Sequence, residues 1–439
     1  MASKSRIKKS KPVHVRPLNE LSASEAAHQI ASGQISSEDL VRACLERIAE
    51  REPHVRAWAY LAPDYALAQA RARDRQPWRG PLHGVPIAVK DVIDTADMPT
   101  QMGSPIFDGY RPKVDAACVG LARKAGAVIL GKTVTCELAG IAPRETMNPH
   151  DPARTPGGSS SGSAAAVADF HVPVAFGTQT GGSVLRPASF CGVVGYKPTY
   201  NTINRAGLKF AAEGVDTLGL LARTVEDVAL LTDACVDRPP LPLASLTRPP
   251  RIGLCRTDLW DTKASPETKA AVEAAARRAE AAGARITDFA LTHEFTRLTE
   301  IREVINNTER ACGLAWEWAH HRDKLSAQMT RTVEMGLAAP RADYIAATRL
   351  ADRCRARLDE LLVDLDVLLA PAVNGEAPLG LDYSGDPAFQ SLWTLLHVPT
   401  ISLPLSRGPN GMPVGVQLVA ARWADRTMLE TARWMMGLS

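Results

Sequence analysis

The chain has 439 residues, 45% of them hydrophobic, which is enough apolar material for a large core in one to three domains. Its 51 basic and 48 acidic side chains leave a formal charge of +3, so nothing points to nucleic acid or an acidic membrane as the main partner. No stretch approaches the roughly 18 consecutive apolar residues of a membrane span, and no apolar run follows the basic start, so a secretory signal is not expected.

Lys4, Arg6, Lys8, Lys9, Lys11 and Arg16 precede any periodic apolar pattern. They predict a basic, disordered and solvated tail over residues 1–16, followed by one domain over 17–439. In Ser36–Glu50, Leu40, Val41, Cys44, Leu45 and Ile48 mark one face of a helix, with Ser36 and Asp39 placed for a capping box. From Gly84 to Thr199 the chain turns rich in glycine, alanine and short β-branched runs: Val85–Val89, Val128–Leu130 and Val172–Phe176. Helical stretches, Asp115–Ala125 and Ser163–Ala168, lie between them. Short apolar strands alternating with helices predict an α/β fold with a central sheet covered on both faces.

Arg238–Arg251 is proline-rich and reads as a surface connector. Pro266–Ala282 and Pro340–Val363 read as helices, and Asp366–Ala372 and Pro413–Val419 return to strand patterns. The sheet is thus expected to be completed by C-terminal segments within one large domain. The eight cysteines are scattered without Cys-x-x-Cys, as buried thiols of a reduced cytoplasmic protein would be. His320 and His321 adjoin, but no His-Glu-x-x-His occurs, so no metal site is expected.

The chemistry is concentrated in Thr155–Pro187. Pro-Gly-Gly-Ser-Ser-Ser-Gly-Ser occupies 156–163, and Gly-Thr-Gln-Thr-Gly-Gly-Ser occupies 177–183. So much glycine weakens ordinary helices and strands, so something must require it. A phosphate cradle would use such loops, but Ser163 stands where the Walker lysine belongs. Acyl transfer needs a nucleophile on a turn, amides converging on the oxyanion and a base within reach. Thr180, Gly181, Gly182 and Ser183 can supply the amides beside one hydroxyl, although serine and glycine also fill ordinary turns. Lys90 ends the apolar run that starts at Val85. A lysine there can be a snorkelling side chain, but burial would lower its pKa and make it a base near neutrality. A distant histidine folding in to give a Ser-His-Asp site stays open at this point.

Taken together, these motifs resemble the amidase signature family. The match comprises Gly-Val-Pro-Ile-Ala-Val-Lys-Asp ending at Asp91, the Gly-Gly-Ser-Ser-Ser-Gly loop and Gly-Thr-Gln-Thr-Gly-Gly-Ser. Gly195–Thr199, Asp216–Gly219 and Pro413–Leu418 extend it, and the likeness runs from about Leu18 to the C-terminus. It implies the family's single domain with a mixed central sheet, and a Ser–Ser–Lys triad working without metal or cofactor. Ser183 matches the nucleophile. Ser159, 24 positions earlier, matches the proton relay and follows a peptide bond that is cis in the family, and Lys90 matches the base. Thr180–Ser183 match the oxyanion hole.

The stretches Asp94–Ser104 and Gly177–Pro187 look most like malonamidase-type bacterial members. Arg186, three residues after the nucleophile, matches their substrate-carboxylate arginine; alternatively it braces the nucleophile loop through a buried ion pair. Asn201–Gly214 and Glu300–Leu337 depart from that branch. Trp393 reads as a core residue and His397 as a surface or core histidine, with a place in the pocket as the lesser alternative for each. The expected activity is hydrolysis of a small carboxamide to acid and ammonia, including half-amides such as malonamate. The alternative is the glutaminase subunit of a tRNA-dependent amidotransferase. The expected partner is a small-molecule amide, with no nucleic acid or membrane and with a homodimer left open.

Overall fold

The computed structural model describes residues 16–238 and 241–438. Most of the predicted basic tail therefore lies outside the described residues, as do two residues of the proline-rich connector. Arg16, where the described chain begins, pairs with Glu25 at 3.0 Å.

The apolar runs form eleven strands: β1 (Trp58–Leu61), β2 (Pro86–Lys90), β3 (Val128–Thr133), β4 (Val174–Gln179), β5 (Val194–Lys197), β6 (Thr217–Ala222), β7 (Arg251–Cys255), β8 (Arg285–Phe289), β9 (Val367–Pro371), β10 (Thr400–Arg407) and β11 (Pro413–Val419). Among the described residues they join one sheet in the order β1-β3-β2-β4-β6-β5-β10-β11-β9-β7-β8. β2 runs parallel to both β3 and β4, and β7 is parallel to β8 and β9; the other pairings are antiparallel. β2, β3, β4, β5, β6, β9 and β11 are buried along their whole length, which is why they read as continuous apolar runs and not as alternating ones. Chain order and spatial order diverge: β9, β10 and β11 separate β5 from β7, so the C-terminal segments complete the sheet as expected.

Helix boundaries follow their caps. Ser36 accepts the Asp39 amide at 3.0 Å and starts the helix Ser37–Val55. The reciprocal half of a capping box is absent there, because the Asp39 carboxylate accepts the Ser36 hydroxyl at 2.6 Å instead. The helix Ser161–Ala168 is made of serine, glycine, alanine and valine, so its backbone packs close to the sheet. A methyl group added at Gly162 would overlap the Ala57 carbonyl. One apolar core spans most of the sheet, and a second forms where Leu298–Gly313 and Arg341–Leu361 pack near β9. Burial of this extent is the main stabilising contribution. Seven cysteines are buried as expected, whereas Cys312 is exposed. Among the described residues no helix is long and apolar enough to cross a membrane.

Candidate active site

Parallel pairing of β2 and β4 places their C-terminal ends side by side, with Val89 opposite Phe176. Lys90 ends β2, and β4 runs on through Thr178 and Gln179 into the glycine loop. Ligands of α/β sheets collect at such strand ends. Lys90 is fully buried and its Nζ donates to three oxygens: Ser159 Oγ at 2.7 Å, Thr178 Oγ1 at 2.8 Å and Thr178 O at 3.4 Å. No carboxylate pairs with it among the described residues. Burial brings its pKa down to about 7, with Cys136 and Asp216 opposing that shift and Arg186 and Arg310 adding to it. Amine and ammonium are therefore comparably populated near neutrality.

Ser159 is delivered by the loop ahead of Ser161–Ala168, after a cis Gly158–Ser159 peptide. Gly157 enters that loop at φ +82°, and a side chain there would meet Pro187. The Ser160 amide donates to the Ser183 carbonyl at 3.1 Å, which ties the two serine loops together. Ser183 lines a cavity of about 300 Å³ with Thr180, Gly181 and Gly182. Its hydroxyl bonds to no protein group among the described residues, and no bond joins it to Ser159 in this structure. Catalytic bonds often tighten only once substrate is bound.

The Gly181–Ser183 turn is held through groups other than its amides. Gly181 O accepts Thr394 Oγ1 at 2.6 Å, and Gly182 O accepts the Arg186 amide at 2.9 Å. Gln179 Oε1 accepts the Val184 and Leu185 amides at 2.9 and 3.1 Å. The amides of Gly181, Gly182 and Ser183 have no acceptor among the described residues, which leaves donors beside the free hydroxyl. Both glycines sit close to side chains from other elements. A side chain at Gly182 would strike Gln390, and one at Gly181 would come 2.8 Å from Arg302 Nη2. Asp216 holds the loop from the other side, accepting Thr180 Oγ1 at 2.5 Å and the Ala212 amide at 3.0 Å. Burial raises the Asp216 pKa, and these donors oppose the rise.

Arg186 lines the same cavity and is buried, yet it forms no ion pair among the described residues. Its Nη2 donates to the Gly158 carbonyl at 2.6 Å, just before Ser159, and to Ser384 Oγ at 3.4 Å. Its Nε and Nη1 have no acceptor. The ion-pair brace that the sequence allowed is thus replaced by a carbonyl brace that leaves two nitrogens unused. Burial lowers its pKa to about 10.

Trp393 and His397 do not line the cavity. Trp393 is fully buried in the second core, and His397 stacks on Tyr200 at 3.9 Å with its Nε2 on the Gly214 carbonyl at 2.7 Å. Of the two divergent stretches, Asn201–Gly214 stays outside the cavity, while Glu300–Leu337 supplies much of its wall through Arg302, Asn306, Arg310, Met329 and Met335. Those wall residues, together with the Thr178 and Asp216 contacts, were missed from sequence. A signal for the wall existed: Arg302, Asn306 and Arg310 form an i, i+4, i+8 polar stripe beside apolar Leu298, Ile301 and Ile305.

The family profile described as Amidase matches residues 39–429. A glutamyl-tRNA(Gln) amidotransferase subunit of Chloroflexus aurantiacus is 35% identical over 94% of this chain and 95% of its own length. The corresponding subunit from Anaeromyxobacter sp. strain K is 35% identical over 95% and 96%. Among solved structures, the peptide amidase of Stenotrophomonas maltophilia is 30% identical with a TM-score of 0.83, covering 96% of this chain and 97% of that one. A chain from a vestigial complex bearing on the origins of an s-triazine catabolic enzyme is 29% identical with a TM-score of 0.87, covering 95% and 98%. With its sheet, its glycine loops and these similarities in agreement along nearly the whole length, the chain belongs to the amidase family and is a hydrolase of carbon–nitrogen amide bonds.

Proposed function

We propose that the chain hydrolyses a small carboxamide through an acyl-enzyme on Ser183. The observation that carries this reading is the buried Lys90 Nζ, 2.7 Å from Ser159 Oγ, with its pKa brought down to about 7 beneath the cavity that Ser183 lines. A neutral amine has two hydrogens and one lone pair. With both hydrogens on the oxygens of Thr178, the lone pair is left for the Ser159 hydroxyl. Ser159 gives its proton to Lys90 as it takes one from Ser183, and Ser183 attacks the amide carbon. The amides of Thr180–Ser183 hold the oxyanion, a contribution of about 3–4 kcal/mol per donor in other hydrolases. The relay returns a proton to the leaving nitrogen, and water releases the acid from Ser183. Arg186 lines the cavity and would hold a carboxylate on the substrate by turning toward it, because the nitrogens it does not spend on Gly158 are closed off from solvent in this structure.

Two finer readings share this chemistry. The curated relatives, named as amidotransferase subunits, fit an ammonia-donating subunit that takes glutamine better than they fit a malonamidase. The unpaired Arg186 favours a free half-amide. In either case a fluorophosphonate probe should label Ser183, and Ser183→Ala should lose on the order of 10⁴–10⁶-fold in ammonia release while keeping its Tm. Labelling of another serine, with turnover intact in the variant, would remove the assignment. Ammonia release that appears only with a partner protein and charged tRNA would decide for the amidotransferase.

A further inference from the structure

Arg186, Arg302 and Arg310 line one cavity, and none is paired with a carboxylate among the described residues. Arg186 Nε and Nη1 and Arg302 Nε are shut away from solvent without an acceptor. Arg310 spends Nη1 on the Leu138 carbonyl at 3.3 Å and on Met329 Sδ at 3.8 Å. Two acids share the cavity with them: Glu137, whose Oε1 accepts the Ser326 amide at 3.0 Å, and Glu303, which acts on Arg302 but is exposed, so water screens it. Asp386, further off, pairs with Lys263 at 2.7 Å. Glu137 Oε2 has no partner, yet an ammonium placed there would stand in the field of Arg310. Burying guanidinium groups without a counter-charge is costly, and the cost is recovered when an anion enters.

We propose that Arg302 acts with Arg186 to select an amide that is an anion, carrying a carboxylate and no ammonium, and to reject a zwitterionic amino-acid amide. Arg302 packs against Gly181 from Leu298–Gly313, so it addresses the substrate from the opposite element to Arg186 while facing the same space. Burial lowers the proton affinity of both guanidiniums, and Arg302 lowers that of Arg186 further, as expected of charges awaiting a counter-ion. This inference rests on the amidase reading and narrows its substrate class to free half-amides over glutamine.

Glutaramate is glutamine without its α-ammonium, and pentanamide lacks both charges, so the three form a matched set. Titrated calorimetrically into Ser183→Ala protein, glutaramate should bind at least about tenfold more tightly than glutamine and than pentanamide. Adding Arg302→Gln should shrink the glutaramate-to-glutamine ratio several-fold, and Arg302→Lys should keep most of it, which guards against a folding artefact. Glutamine binding as well as glutaramate would overturn the inference and leave the amidase reading standing. An unchanged ratio in Arg302→Gln, or equal weakening of all three ligands, would also overturn it. If the ratios behave as expected but wild-type enzyme releases no ammonia from glutaramate, the selection by Arg302 stands and the proposed reaction falls.

Discussion

The floor of the cavity comes from strand ends and glycine loops between Lys90 and Arg186, whereas much of its wall comes from the helices Leu298–Gly313 and Ala327–Ala338. On the floor the side chains that position the reacting groups are committed, Lys90 to Ser159 and Thr178, Gln179 to two amides and Asp216 to Thr180, while the Ser183 hydroxyl and the amides beside it stay free for the substrate. On the wall, Arg302 Nε lacks an acceptor and methionines fill space between polar side chains. A committed network holds one geometry, which acyl transfer needs. An uncommitted wall leaves its bonds for the ligand. Floor changes should therefore alter the rate for every amide alike, and wall changes should alter the choice among amides.

Lys90 gives the sharpest break of that comparison. Lys90→Ala should cost about 10²–10⁴-fold in kcat on every amide tested, the range of a lost general base. Lys90→Arg should not restore it, because guanidinium does not deprotonate. In the wild type, kcat should fall on the acid side with an apparent pKa near 7, as the amine takes up its proton. The same shift has a stability consequence of definite sign. The fold disfavours the ammonium, so between about 10.5 and about 7 the unfolded chain binds the proton first and stability falls as pH falls. Lys197 is buried and lowered to about 7 in the same way, so Lys90→Met should lose only the share of that fall due to Lys90, which Tm measured against pH would reveal as a shallower slope than in the wild type. A flat kcat profile from pH 5 to 9, or full rate in Lys90→Arg, would contradict the base.

Arg186 belongs to both regions, bonding to the floor through Gly158 and lining the cavity as well. Arg186→Ala should cost carboxylated amides about 2–5 kcal/mol in kcat/KM, as for one partner lost from a buried charge pair. Neutral amides of equal size should lose much less. Equal losses would make Arg186 a brace for the Ser159 loop, and the half-amide reading would go with it.

What could be read in advance follows the same division. β2, β4 and the serine loops were legible because their glycines, apolar runs and lone buried lysine are each forced by packing or chemistry. Pro413–Val419 was placed residue for residue, since a strand buried on both faces is apolar throughout except for Gln417, whose amide donates to the Pro371 and Phe389 carbonyls. Lys90 and Ser159 meet because parallel pairing and one loop leave little freedom. The wall left only an ambiguous signal. The Leu298–Gly313 stripe of Arg302, Asn306 and Arg310 looks like any solvated helix face until the fold lays it over Gly181. Resemblance to malonamidase-type members rested on Asp94–Ser104, Gly177–Pro187 and the position of Arg186, and curated relatives of another substrate class match nearly the whole chain, so the resemblance carried the reaction further than the substrate.

Thr178 offers the smallest and most discriminating test of the floor. Its hydroxyl accepts from Lys90 Nζ at 2.8 Å, and its carbonyl lies 3.4 Å away. Thr178→Val keeps the branched shape and removes only that hydroxyl acceptor. Hydrogen bonds to charged groups contribute about 1.5–3 kcal/mol, and the bond here is stronger to the ammonium than to the amine. Its loss should lower the Lys90 pKa by about one unit, since one unit corresponds to 1.36 kcal/mol. The acid limb of kcat should move to lower pH by that amount. With one hydrogen released, the lone pair is no longer confined to the Ser159 direction, so kcat on the pH plateau should drop about tenfold. KM should hold, because Thr178 is not among the residues that line the cavity. A shift of the limb to higher pH would mean that the hydroxyl favours the neutral amine. A change in KM with kcat intact would mean that Thr178 shapes the pocket and leaves the base alone.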